Sequence, residues 1–427
     1  MNLTSAPTPL ASKAAYLRTL PAIRERCSRV FEIAKKGGLE YFDYHPEQES
    51  TVVDYCANII TRDFGTNYSS IPPHGRWRHL DAGRPRVEPM MAKWDVDVKE
   101  KTRRIVDIFI VSVLLDAGAG NAWAYKEPAS GRSFGRSEGL GVASINMFEQ
   151  GFFSGDASQP FQVDAAGLAR ITAERTAAAM QVSESNPMVG IEGRAALLAR
   201  LSDALKANPE YFGENARPGN VVDFLEKHSK LVGEQRMVPV AALWSALIDG
   251  LNAIWPPSRT KLGGVSLGDV WPCGVLAKEA KEKGDDLVPF HKLTGWMSYS
   301  VIEPIEKILG WKFQGIEDMT GLPEYRNGGL LLDLGVLSLK PNLLETDAKS
   351  GLPRVTPSHP AVVEWRAMTI IMLDRIADGL RKKLNADLSL AQVLESATWK
   401  GGREIAKEKR PETCGPPLEI ESDGTVF

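Results

Sequence analysis

Apolar residues recur along this chain at three- and four-residue steps far more often than at alternate positions, the pattern of helices with one buried face. "KAAYLRTLPAIRERCSRVFEIAKKGG" (13–38) carries that spacing and stops on glycines. "STVVDYCANIITRDFG" has Ser50 at a capping position and closes on Gly65. The same periodicity predicts helices over 98–116, 137–150, 163–182, 190–206, 219–228 and 238–254, then 291–309, 326–338, 360–385 and 389–408. Strand-like text is confined to "KLGGVSLGDVWP" and the C-terminal "LEIESDGTVF", neither of which alternates for long. Between Gly65 and Gly83, "IPPHGRWRHLDAG" is too rich in Pro, Gly and His for a helix and reads as an irregular basic loop. The expected fold class is mainly α with few short strands. It is one helical body over 1–427, with room for an N-terminal helical subdomain over 1–90.

The most apolar run, "IVDIFIVSVLLDAGAGNAWAY", carries Asp107 and Asp116 and breaks at glycines. Its uninterrupted part is too short for a bilayer core of about 30 Å, so a buried helix is predicted and no membrane span. The N-terminus has no basic segment followed by an apolar core, and no signal peptide is read there. The expected location is cytoplasmic. The balance of 51 basic and 54 acidic residues, a net of −3, is too neutral for nucleic acid or an anionic membrane, and it leaves a small-molecule ligand as the expected partner. Four cysteines without paired spacing support neither a disulfide framework nor a zinc site. No metal-ligand cluster is visible, and no cofactor is expected.

Several stretches carry candidate chemistry beside a bland reading. "DAGAGNAWAY" (116–125) follows an apolar segment, but its glycine spacing matches neither dinucleotide nor P-loop patterns. A helix end with left-handed glycines accounts for Gly118 and Gly120, while Asn121 and Trp123 suit a pocket wall. "GRSEGLGVASINMFEQGFF" reads either as a capped helix packed through its glycines or as a helix start presenting Ser137 and Glu138 to sugar hydroxyls. The basic loop with His74, Arg76, Arg78, His79 and Arg84 is either solvated or a phosphate site. "PFHKLTGWMSYSVIEPIEKILGW" is a helix with Lys292 at its start, Trp296 one turn on, and Pro304 inside it. A lysine in a first turn opposes the macrodipole, so it lies in solvent or meets a carboxylate. Finally, "LPEYRNGGLLLDLGVL" sets Glu324, Tyr325 and Arg326 at the doorstep of an apolar helix.

"SEGLGVASINMFEQGFFSG", "PFHKLTGWMSYSVIEP" and "TGLPEYRNGGLLLDLGVL" resemble the uracil-catabolism protein 4 family, also called domain of unknown function 1688, and the likeness covers nearly the whole chain. The run from Phe290 to Leu337 is similar, more distantly, to the queuosine-salvage N-glycosidases, which cleave an N-ribosidic bond on a helical fold akin to DNA glycosylases. Their aromatic-aromatic-lysine falls on Phe290, His291 and Lys292, and their Asp-Tyr-Arg on Glu324, Tyr325 and Arg326. The two motifs stand thirty-two residues apart, matching that pattern, and "LGVL" at 334–337 completes it. The departure is Glu for Asp, a methylene that moves the carboxylate by about 1.5 Å. Weaker likeness reaches "LLDAGAGNAW", which adds Asp116 to the binding candidates, and "MVGIEGRAALLARL".

The resemblance implies hydrolysis of an N-ribosidic bond. In it Glu324 faces the anomeric carbon, and Lys292 serves that carboxylate or the leaving group. Tyr325 and Arg326 orient, Arg326 standing equally as a structural partner of a helix end, and Trp296, Trp244 or Trp123 closes a small pocket. The uracil pathway tied to the family passes through ribosylurea, so the implied substrate is ribosylurea or its phosphate. Uridine or a uridine nucleotide is the alternative, as is a non-catalytic ligand-binding protein of the same pathway.

Overall fold

A computed structural model describes residues 9–120 and 122–421 of the chain. It is mainly helical, 54% of it, with only short strands and no closed sheet. The described residues fall into two compact units. One comprises residues 9–74, Pro257–Gly295 and Glu317–Glu421, the other Gly75–Pro256 and Trp296–Ile316.

The first unit is built on the helix Pro360–Leu384, in which every residue from Ala361 to Leu373 is buried. A helix apolar on all sides must be covered on all sides. Leu20–Ala34 and Glu49–Phe64 pack against it. Tyr325–Asp333 and Trp399–Lys409 form a second close pair. Gly402 permits that approach, since a Cβ there would sit 2.2 Å from the Arg326 carbonyl oxygen. Phe42–Tyr44 runs antiparallel to Leu337–Leu339, and Val270–Pro272 antiparallel to Leu287–Pro289. Ala14, Leu17, Leu262, Leu267, Val270 and Leu287 form a small buried apolar cluster.

The long helix carries a titrating group near its start. Glu364, buried, accepts the backbone N–H groups of Glu40 (2.8 Å) and Tyr41 (3.0 Å). Burial pushes its carboxyl up; the two backbone donors oppose this only in part, the charge of Glu40 adds to it, and the result is about 7. A folded value above the unfolded one gives stability that is complete below the unfolded range, near 4.5, and lost as pH rises through about 7. The thermal midpoint is therefore expected to fall between pH 5 and pH 8, this group contributing about 2–3 kcal/mol. Glu364→Gln is expected to flatten that fall, and a midpoint-versus-pH series on both proteins checks it.

In the second unit Asp97 caps the helix Val98–Leu114 by accepting the Glu100 N–H at 2.8 Å, and Ile105 to Leu114 are buried throughout. The apolar run is thus the buried helix its composition predicts. Asp107 within it has burial pushing its carboxyl up, to about 6, against the pull of Arg217. Its oxygens accept from Arg217 Nε (2.6 Å), Gly219 N (2.6 Å) and Val163 N (3.2 Å). Lys312–Gln314, Gln235–Pro239 and Lys230–Val232 form a three-stranded sheet in that order. No helix among the described residues is long and apolar enough to cross a membrane.

Several boundaries differ from the periodicity, each for a local reason. The span 163–182 is two short helices, Ala165–Leu168 and Ala173–Ala179, because Thr172 caps the second by accepting the Arg175 N–H. The helix expected over 326–338 ends at Asp333. Gly335 then takes a left-handed φ of 77°, and the next residues pair as a strand. One helical turn, Trp77–Leu80, lies inside the segment expected to be irregular. The span 389–408 holds a π-helical insert, Leu394–Thr398. The strand signal at "LEIESDGTVF" is met by Glu419–Ile420 alone, and its last six residues lie outside the described chain.

Candidate active site

Glu324 is the N-cap of the helix Tyr325–Asp333. Asp, Asn, Ser and Thr usually hold that position. Here the longer side chain folds back, Oε2 accepting the Arg326 N–H at 2.9 Å and Oε1 the Asn327 N–H at 2.6 Å. Both carboxylate oxygens are thereby fixed in direction. A carboxylate has about four acceptor positions, so each oxygen keeps one beyond its capping bond. Glu324 is 9% exposed, which gives the group little contact with bulk water. Asn327 tightens the turn by donating from Nδ2 to the Leu322 carbonyl at 3.0 Å.

Arg326 is held by aromatic rings. Its guanidinium lies 4.9 Å from the Trp399 ring and 5.3 Å from that of Tyr325, an arrangement for cation–π attraction. Arg326 is buried and Tyr325 half-buried.

Lys292 is the first residue of the helix Lys292–Leu309 and is half-buried. The residue before it, His291, takes a left-handed φ of 46° and donates from Nε2 to the Leu17 carbonyl at 2.8 Å. Burial pushes the His291 imidazole down to about 4, so it is neutral at pH 7. The backbone N–H of Lys292 donates to Asp269 Oδ2 at 2.9 Å. Asp269 thus places negative charge at the helix start, the complement the macrodipole asks for.

Asp269 is the centre of the arrangement. It is fully buried and paired bidentately with Arg366, at 2.7 Å from Nη1 to Oδ1 and 2.8 Å from Nη2 to Oδ2. Trp271 Nε1 donates to Oδ1 at 2.7 Å. Burial pushes the Asp269 carboxyl up, but the charge and hydrogen bonds of Arg366, with the Trp271 and Lys292 donors, more than reverse that and hold it well below the usual carboxylate range. Arg366 also lies 4.2 Å from the Phe290 ring and donates from Nε to the Pro323 carbonyl at 3.3 Å. One ion pair therefore touches the main chain at Lys292 and at the residue before Glu324. The Cβ position of Gly295, in the first turn after Lys292, lies 3.3 Å from Leu322 Cδ2.

The remaining expected site residues fall in the second unit. Trp296 is buried, its ring perpendicular to that of His79 at 5.6 Å. Asp116 pairs with Arg76 at 2.9 Å. Ser137 is not a cap: Gly135 holds that position, and Ser137 and Glu138 are the second and third residues of the helix Arg136–Glu149, both half-buried. The packed-glycine reading of that helix holds. Cβ atoms at Gly139 and Gly141 would lie 2.3 Å and 2.6 Å from the carbonyl oxygens of Phe134 and His79. Trp123 is core rather than pocket wall, fully buried with Nε1 donating to the Met180 carbonyl at 2.9 Å. Asn121 lies outside the described residues.

Neither reading of the basic loop survives intact. His74, Arg76 and His79 are buried rather than solvated. Arg78 pairs with Glu303 and Arg84 with Glu127, so the charge of these arginines is already met by carboxylates, and His74 Nδ1 is hydrogen-bonded to Glu395 at 2.6 Å. Among the described residues no group of three His, Cys, Asp or Glu side chains is placed to hold a metal ion.

Sequence reasoning missed Asp269 and Arg366. Both sit in apolar text, Asp269 in "SLGDVWP" and Arg366 in "AVVEWRAMTII". Charge inside a segment too apolar to face water must find a partner, and that was the available signal.

Fold and site together define a mainly helical protein in which a buried carboxylate–guanidinium pair joins a lysine-headed helix to a carboxylate-capped one. The chain belongs to the family described as "Protein of unknown function (DUF1688)", whose model matches residues 16–427. It is 43% identical to "Uracil catabolism protein 4" of Lachancea kluyveri over 436 residues, covering 97% of this chain and 98% of the relative. It is 41% identical to "Protein urg3" of Schizosaccharomyces pombe over 421 residues, with the same coverage of each.

Proposed function

We propose that this chain hydrolyses an N-ribosidic bond in uracil catabolism, with ribosylurea or its phosphate as substrate, releasing urea and ribose or its phosphate. The pathway assignment draws on the name of the Lachancea relative. The observation that carries the chemistry is the Asp269–Arg366 pair, which bonds the main chain at Lys292 and beside Glu324. Residues thirty-two positions apart are thereby tied to one buried point.

Cleavage of a ribosyl C–N bond builds positive charge at the anomeric carbon while the leaving nitrogen gains electrons. Glu324, its oxygens aimed by two backbone donors, supplies the negative charge that stabilises this state, and it activates water or attacks directly. Lys292 gives a hydrogen bond or proton on the leaving-group side. Urea leaves poorly as an anion, so such a donor has a defined task. Tyr325 and Arg326, the next two residues along the chain, orient the sugar.

The test is hydrolysis of ribosylurea, uridine and uridine monophosphate side by side, with urea and ribose measured as products. Urea release from ribosylurea is expected, with uridine slower. Binding of ribosylurea without turnover would instead favour a protein that hands the intermediate between enzymes, a reading in which Glu324 is a helix cap and nothing more.

A further inference from the structure

We propose that Arg366 and Asp269 are positioning residues for the reaction, a single buried clamp that sets Lys292 and Glu324 relative to each other. The inference rests on the hydrolase reading for its chemistry. Its geometry comes from other atoms than those which react.

The three groups on the guanidinium are divided between two tasks. Nη1 and Nη2 hold both oxygens of Asp269, at 2.7 and 2.8 Å, while Nε reaches the Pro323 carbonyl at 3.3 Å. On the far side of the carboxylate, Oδ2 receives the Lys292 N–H at 2.9 Å. The path from the residue before Glu324 to the backbone of Lys292 thus runs through two side chains and no solvent, since Arg366 is 2% and Asp269 0% exposed.

The planar guanidinium matters here. Its donors leave in fixed directions, so rotating it to follow one partner breaks the bond to the other. Trp271 Nε1 holds Asp269 Oδ1 from a third direction, and the Phe290 ring lies 4.2 Å from the guanidinium, so neither side chain swings freely. Such a pair is a weak source of net stability, because desolvation offsets most of its attraction. Its value lies in geometry. A displacement of about 1 Å at reacting groups costs on the order of a hundredfold in rate.

Arg366→Lys separates positioning from folding. Lysine keeps the charge and an ion pair with Asp269, but its single nitrogen cannot span both Asp269 oxygens and the Pro323 carbonyl as the three guanidinium nitrogens do. We expect a folded protein whose kcat for ribosylurea falls by about tenfold to a hundredfold with KM changed less than about threefold. In parallel, lysines are converted to their 13C-dimethyl forms, and the Lys292 resonance is assigned by its absence in Lys292→Arg. That resonance is expected to move in Arg366→Lys while those of exposed lysines stay in place. A cooperatively folded Arg366→Lys protein with wild-type kcat and an unmoved Lys292 resonance overturns the inference. If the wild-type protein hydrolyses no N-riboside, the hydrolase reading fails by itself, and the resonance alone decides whether the clamp exists.

Discussion

Glu324→Gln is expected to lower the turnover of ribosylurea by about a thousandfold or more while leaving a folded protein. The two effects separate because the amide keeps the shape of the carboxylate but not its charge. As a cap, Glu324 accepts from Arg326 N and Asn327 N. The glutamine oxygen still accepts one of these, and the other loses its acceptor, a cost of about 1–2 kcal/mol to stability. As the group facing the anomeric carbon it loses all of its charge, and a thousandfold corresponds to about 4 kcal/mol of transition-state stabilisation. Measuring kcat and the thermal midpoint on the same preparation tells the roles apart. A midpoint lowered by a few degrees with kcat within about threefold of wild type would make Glu324 a cap only, and its role at the anomeric carbon would fall.

Asp269→Ala is expected to cost about 3–5 kcal/mol of stability, because it leaves the Arg366 guanidinium buried without its counter-charge. Replacing both partners by apolar residues of similar volume, Asp269→Leu with Arg366→Met, is expected to return most of that loss. The Trp271 indole and the Lys292 N–H still lose their acceptor, so recovery stops short of the wild-type value. The informative quantity is activity in the double variant. A clamp that acts through geometry predicts a stable protein with little turnover, whereas a merely structural pair predicts that activity returns with stability. Chemical denaturation and a urea-release assay on the three proteins decide it.

Much of the fold was legible because helix formation is local. The predicted 291–309 is Lys292–Leu309 in the structure, 360–385 is Pro360–Leu384 and 98–116 is Val98–Leu114. Periodicity of apolar residues fixes such spans without reference to the rest of the chain. The failures came where a neighbour in space outweighed the local pattern. The leucine run after Arg326 gives up its helix at Asp333, because Leu337–Leu339 finds Phe42–Tyr44 as a strand partner. The two-residue and three-residue strands elsewhere have no length over which alternation could register.

The candidate site divides along the same line. Glu324, Tyr325 and Arg326 were marked by three polar side chains set directly before an apolar helix, and Lys292 by its place at a helix start. Those are signals of residue type and order, which a sequence carries by itself. What it could not carry was the destination of charge. His74, Arg76 and Arg78 look like a solvated or phosphate-binding loop until Glu395, Asp116 and Glu303 are seen to meet them. Asp269 and Arg366 stand 97 residues apart, each inside text that reads as core. Whether a charge is buried and what neutralises it depends on distances between segments that only folding brings close, since Coulomb attraction and desolvation act through space and not along the chain.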